Sequence, residues 1–282
     1  MAMPPKANRK AKDIVFLDMF ADKQYLLQMF QTLHPEMVDI TEEDLEIITM
    51  RPVLLDLPYN DLAFMAKDKL MIFVEAQSTW TENILLRLLM YYAQTLKEYI
   101  EEHGHDVYHK KKVPVGEPEF YVVYSGNEKK AKPAISLKKD FFENGDCKID
   151  LEAKVIYQED KSNIIGQYII FCHVFDEQTE KWGSVKKAVE ETIRICRDEN
   201  ILKEYLTSRE KEVVEIMNLL FDQEYAMERR IMSREIAAAV EMAQTLGASK
   251  EATVREVAKK YNLDESDAEW YVDASWKEPA FA

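Results

Sequence analysis

The stretch Asn60-Asp61-Leu62-Ala63-Phe64-Met65-Ala66-Lys67-Asp68-Lys69-Leu70-Met71-Ile72-Phe73-Val74-Glu75-Ala76-Gln77-Ser78-Thr79-Trp80 decides how the chain reads. Lys67-Asp68-Lys69 is a polar break between two apolar arms, the pattern of a β-hairpin tip. With those three residues as the loop, Ala66 faces Leu70, and counting back along both arms sets Asp61 opposite Glu75. Strand side chains alternate between faces, so Asp61, Glu75 and Gln77 share one face. Leu62, Phe64, Leu70, Ile72 and Val74 share the other, an apolar set ready for burial. Two carboxylates and an amide are thereby gathered on one side of a hairpin suited to a core. Hard divalent cations take oxygen ligands, and Mg2+ commonly takes one or two carboxylates together with substrate phosphate.

Composition narrows the surroundings of that hairpin. A chain of 282 residues allows one large domain, or one domain with a helical appendage. No apolar run approaches the roughly 20 residues that span a bilayer, and Met1-Ala2-Met3-Pro4-Pro5-Lys6 lacks the apolar segment of a secretory signal. Cys147, Cys172 and Cys196 are scattered and lack metal-site spacing, so free thiols in a reducing cytoplasm are expected, with no membrane partner. The net charge of −15 sits awkwardly with a nucleic-acid partner, whose phosphates are neutralised by Lys and Arg. A local basic groove can exist on an acidic protein. Candidates are residues 6–12, Lys110-Lys111-Lys112, Lys129-Lys130 with Lys132, and Lys138-Lys139, each more often a solvated loop than a binding site.

Along the chain, residues 1–12 are rich in Pro and Lys and read as a disordered basic tail. Val15, Phe16, Met19, Phe20, Leu26, Leu27 and Phe30 recur at helical spacing and predict one or two helices over 13–33. Thr41-Glu42-Glu43-Asp44 has the form of a capped helix start, predicting a short helix that ends near Ile48. After the hairpin, a helix is expected over 82–102, with Asn83, Arg87 and Tyr91 in one stripe beside the end of the second arm. The planar fork of Arg87 matches phosphate oxygens, and equally the carboxylate of Glu75. Asn83 and Tyr91 read as structural. His103, His105 and His109 fall in a polar loop without a matching fourth zinc ligand, and read as solvated.

Strands are expected over 119–124 and 149–157, joined by a lysine-rich connection. Strands separated by the 82–102 helix predict the α/β class, with a mixed sheet flanked by helices. From Ser162 onward the pattern is helical, over 164–175, 184–200 and 208–243, with Gly247 as a stop. Tyr168, Phe171, Phe175 and Trp182 read as core. Residues 250–272 form a helix, turn and helix, but the second helix carries Glu265, Asp267 and Glu269 and would repel phosphate. A packing or protein-contact module fits it better. No nucleotide-binding glycine loop and no Ser/His/Asp order points to another enzyme class.

Asp61 followed by Glu75-x-Gln77 resembles the PD-(D/E)xK nuclease pattern, with Gln in the lysine place. The wider string of Asn60-Asp61-Leu62, Val74-Glu75-Ala76-Gln77-Ser78-Thr79-Trp80, Asn83, Leu86-Arg87 and Tyr91 resembles the recombination-promoting nuclease and transposase family of bacteria. Tyr121-Val122-Val123-Tyr124-Ser125-Gly126 and Gly166-Gln167-Tyr168-Ile169 are similar to members of that family too, so the resemblance spans about residues 15–228. It implies a restriction-endonuclease-like α/β/α core with a mixed central sheet over 13–180, followed by a C-terminal helical extension over 181–282. It further implies a metal-dependent DNA endonuclease, linked to recombination or mobile elements, that hydrolyses phosphodiester bonds. Asp61 and Glu75 would hold Mg2+, with Mn2+ or another divalent cation as substitutes, and the carbonyl between Glu75 and Gln77 offers a third ligand. Asp61, Glu75 and Gln77 would form the catalytic set, and Arg87 would bind substrate.

DNA is the partner this resemblance implies, and a homodimer would suit paired cuts. Some nucleases of this fold carry another acid on the first helix, for which Asp18 is the candidate here. Gln77 can only donate and accept neutral hydrogen bonds, so its presence bears on rate more than on fold. The alternative is a catalytically silent relative that binds DNA or a protein partner.

Overall fold

The computed structural model describes residues 7–48, 61–67, 69–127, 132–143, 145–182 and 185–276. Two helices, α1 (Ala7–Phe20) and α2 (Lys23–Leu33), precede a 3-10 turn (Glu42–Asp44) and strand β1 (Leu45–Ile48). The hairpin follows as β2 (Asp61–Ala66) and β3 (Leu70–Gln77). After α3 (Asn83–Glu102) come β4 (Glu117–Tyr124), β5 (Ala134–Ser136), a π turn (Leu137–Phe141) and β6 (Glu152–Ile156). The remainder is helical: α4 (Ile164–Trp182), α5 (Val185–Asp198), α6 (Lys203–Ser208), α7 (Glu210–Thr245), α8 (Lys250–Tyr261) and α9 (Glu265–Ser275).

The strands form one six-stranded sheet in the order β1-β2-β3-β4-β6-β5. The first three are an antiparallel meander, β3, β4 and β6 are mutually parallel neighbours, and β5 returns antiparallel along β6. A parallel pair needs a crossover, and α3 supplies it between β3 and β4. The expected α/β class with a mixed sheet is thus present. The hairpin has the expected register: Ala66 pairs with Leu70 and Asp61 with Glu75. Its tip turns through Lys67 at φ 48°, and the Lys69 amide closes the loop on the Ala66 carbonyl at 3.0 Å.

Both faces of the sheet are covered. Leu62, Phe64, Ile72 and Val74 face a layer built from Phe16 and Met19 of α1, Phe30 of α2, Ile169 and Phe171 of α4, and Val189 of α5. On the opposite face, Ala63, Met65, Met71, Phe73, Phe120 and Val122 lie under Ile84, Leu85 and Leu88 of α3. Strands buried on both sides read as continuous apolar runs, which is why Met71-Ile72-Phe73-Val74 shows no polar alternation. Tyr168, Phe171 and Phe175 are core, as their spacing predicts, whereas Trp182 is only partly buried.

Several expectations are corrected. The start at Thr41 makes only one 3-10 turn, although its capping box forms, with the Thr41 amide donating to Asp44 Oδ2 at 2.9 Å. Leu45-Glu46-Ile47-Ile48 then extends as β1, because the free edge of β2 offers a complete ladder from Leu45–Ala66 to Ile48–Ala63. Helix α1 begins at Ala7, so residues 7–12 belong to it. The Lys12 ammonium is buried there, 2.9 Å from both carboxylate oxygens of Asp176. Strand β5 lies inside the lysine-rich connection; a three-residue strand has too little pattern to stand out. The helix expected over 208–243 is present as α7, and the short α6 that precedes it was not expected. Beyond residue 181, Val189, Ile193, Leu206, Val213 and Met217 join the main core, while Ile236 and Val240 pack with Val254, Val257, Ala268, Tyr271 and Val272 in a separate cluster. Among the described residues no helix is long and apolar enough to cross a membrane.

Candidate functional site at the end of the hairpin

β3 carries Glu75 and Gln77 toward α3, where they are 1% and 3% exposed. Burying a carboxylate costs several kcal/mol unless an opposite charge meets it with good geometry. Arg87 does so: one turn into α3, with Ile84, Leu85 and Leu88 anchoring the helix on the sheet, its Nη2 donates to Glu75 Oε1. The same Nη2 donates to Gln77 Oε1 at 2.8 Å, and Gln77 Nε2 donates to the Thr79 carbonyl. The amide of Gln77 is therefore oriented at both ends. A lysine could not replace it here, since an ammonium has no acceptor to offer Arg87.

Asp61 is set across from Glu75 by the strand register, on the same face by strand alternation. The side chain of Asp61 and all of Asn60 lie outside the described residues. Hard oxygen donors at paired strand positions match the needs of Mg2+ rather than those of a soft-ligand site. A second feature of the fit is Arg87 Nε, a buried donor that meets no acceptor among the described residues. The guanidinium therefore keeps one N–H for a further oxygen.

The exits of β3 and β4 are bolted together beside this site. The Ser125 amide donates to the Gln77 carbonyl at 2.9 Å. A Cβ on Gly126 would come within 2.3 Å of the Ser78 carbonyl oxygen, so only glycine allows that approach. Trp80 packs edge-on against Tyr124, with ring centroids 5.4 Å apart. From α4, His173 reaches in, with Nε2 3.1 Å from the Ser125 carbonyl and Nδ1 2.5 Å from Glu159 Oε1. Sequence reasoning missed His173, because nothing local links position 173 to positions 125 and 159.

The other expected residues are placed elsewhere. Asp18 accepts from Tyr205 at 2.7 Å and pairs with Arg209 at 2.9 Å, in the helical layer on the far face of the sheet from Glu75. Burial and then Asp18 push the Tyr205 hydroxyl well above the usual tyrosine range. Lys6, Lys129 and Lys130 lie outside the described residues, and Lys132 pairs with Asp140 at 2.5 Å. His103 stacks on Tyr99, with centroids 4.1 Å apart. Among the described residues no group of three or more His, Cys, Asp or Glu side chains could hold a metal ion, a statement that leaves the Asp61 carboxylate aside.

No family model matches this chain, and neither a curated protein nor a solved structure does. The fold and site define an α/β protein with a mixed six-stranded sheet and, at the end of a registered hairpin, a buried Glu75 and Gln77 bound by a half-buried Arg87.

Proposed function

We propose that this chain is a metal-dependent DNA endonuclease with a restriction-endonuclease-like α/β/α core, acting on phosphodiester bonds in recombination or mobile-element turnover. One observation carries the reading: Asp61 is registered opposite Glu75, and Arg87 binds both Glu75 and Gln77 on that face. The strand order supports it, since an antiparallel meander followed by a helix and a parallel strand accords with the core that the sequence resemblance implies. Asp61 and Glu75 would hold Mg2+, with Mn2+ or another divalent cation as substitutes. When bound, the metal supplies Lewis-acid polarisation of the scissile phosphate and a lowered pKa for the attacking water.

The protein's own residues do the positioning. Arg87 compensates the buried charge of Glu75 and retains Nε–H for a phosphate oxygen. Gln77 accepts from Arg87, so the positive charge that a lysine would place on the strand is carried instead from α3. Free thiols at Cys147, Cys172 and Cys196 accord with action in a reducing cytoplasm. A homodimer would allow paired cuts.

The test is cleavage of supercoiled plasmid with Mg2+ and, separately, with Mn2+, beside an Asp61→Ala, Glu75→Ala variant and an EDTA control. Nicking or linearisation that needs both the metal and the two carboxylates is the expected result. Equal cleavage by wild type and variant would sink it. The net charge of −15 and the glutamine at position 77 favour a second reading, a silent relative that binds DNA or protein, and absence of any cutting would move it ahead.

A further inference from the structure

Ser125 follows the last residue of β4, is 4% exposed, and is held from two sides. Its amide donates to the Gln77 carbonyl at 2.9 Å, one step beyond the Gln77–Tyr124 pair that ends the β3–β4 ladder. Its carbonyl meets Nε2 of His173, on α4, at 3.1 Å. A carbonyl oxygen can only accept, so Nε2 carries the proton in that bond. The other ring nitrogen lies 2.5 Å from Glu159 Oε1, which fixes the orientation of the imidazole.

This tether comes from the far side of the sheet. Ile169, Phe171 and Cys172 of α4 pack in the layer with α1 and α2, whereas Glu75 and Gln77 point to α3. The His173 side chain is 23% exposed and reaches the backbone just past the end of β4, not the interior of either layer. The bonds then run on in sequence. Ser125 holds the Gln77 carbonyl, the Gln77 amide joins the Thr79 carbonyl and Arg87, and Arg87 joins Glu75. The peptide that His173 holds is the one between Ser125 and Gly126. Gly126 sits so close to Ser78 that a Cβ would come within 2.3 Å of the Ser78 carbonyl oxygen. A shift of that peptide therefore presses on the Gln77–Ser78 segment.

We infer that His173 is a positioning residue for the Glu75, Gln77 and Arg87 site: it fixes the Ser125–Gly126 peptide, and through it the exit of β3 that carries Gln77. Strand ends open locally unless they are tied down, and here the tie comes from a distant helix. The effect on cleavage rests on the proposed function; the effect on the site's geometry does not. A misplacement of about 1 Å at reacting groups can cost roughly a hundredfold in rate.

The experiment compares wild type with His173→Leu, which removes the donor, and His173→Gln, whose amide keeps an N–H for the Ser125 carbonyl. Two signals are read by NMR without substrate: exchange of the Ser125 amide, and the Arg87 Nε–H resonance. In His173→Leu the Ser125 amide exchanges about tenfold faster and the Arg87 signal shifts, while the Phe64 and Val257 amides keep their wild-type rates. His173→Gln restores both signals. Unchanged Ser125 exchange in His173→Leu, or equal acceleration at Phe64 and Val257, overturns the inference. In the plasmid assay His173→Leu is expected to lower kcat by tenfold or more with KM unchanged, and His173→Gln to recover it. A wild type that cuts beside a His173→Leu variant of equal kcat overturns the inference and keeps the nuclease reading. A wild type that never cuts, while the Ser125 and Arg87 signals depend on His173, keeps the positioning role and removes the nuclease reading.

Discussion

Val74 and Glu75 are neighbours on one strand, each 1% exposed, and they are buried for opposite reasons. Val74 points to the α1, α2, α4 side, where removing a branched apolar side chain from water contributes about 1.5–3 kcal/mol. Glu75 points to α3, where burial would cost several kcal/mol without Arg87. One face of the hairpin is held by area and the other by a charge pair. Depth alone therefore does not separate core from site; what a buried side chain touches does.

The largest test of that contrast is Arg87→Ala. It removes the guanidinium that pairs with the buried Glu75 carboxylate, with an expected loss of about 3–5 kcal/mol in urea unfolding. Replacing Glu75 and Arg87 together by leucine recovers most of it, because well-packed apolar residues often do as well as a buried pair. Ile72→Ala on the other face costs about 2–5 kcal/mol and has no partner whose removal recovers it. An Arg87→Ala loss no greater than that of an exposed alanine substitution would break the comparison.

Gln77→Lys comes next. It supplies the lysine of the PD-(D/E)xK pattern, yet removes the acceptor for Arg87 and sets two cations together. The unsatisfied donor alone costs about 1–3 kcal/mol. A lower melting temperature is expected, relieved by adding Arg87→Gln. A stable Gln77→Lys protein would show that the glutamine is not matched to the arginine.

The smallest effect is chemical. Burial pushes the Cys172 and Cys196 thiols up to about 12, so at pH 8 both stay protonated and inert while the chain is folded. Partly exposed Cys147 should react first with a thiol reagent, and the other two only as the core opens. Because Cys172 lies in the apolar layer, faster labelling in Arg87→Ala would report that loss of the charge pair loosens the opposite face as well.

The hairpin register was legible because a polar three-residue tip and strict alternation leave one pairing that buries the apolar set; a slip by one residue would flip every side chain. β1 was not legible. The capping signal at Thr41 is real, but it drives one turn, and the open edge of β2 settles what Leu45 to Ile48 do next. The candidate site divides in the same way. Glu75 and Gln77 could be placed on one face by counting, whereas Arg87 had two equal readings until α3 was packed onto the sheet.

By itself, then, the sequence determined what depends on near neighbours: the hairpin, the helix beside it, the α/β class and the sharing of a face by Asp61, Glu75 and Gln77. Only the tertiary structure decided which charges meet. Lys12 finds Asp176 across 164 residues, Asp18 finds Arg209 rather than Glu75, and Lys181 and Lys187 gather on Trp182 across a helix boundary. The reason is physical. Alternation is set by backbone geometry within a few residues, while the partner of a buried charge is whichever opposite or polarisable group the packing of distant elements brings within reach.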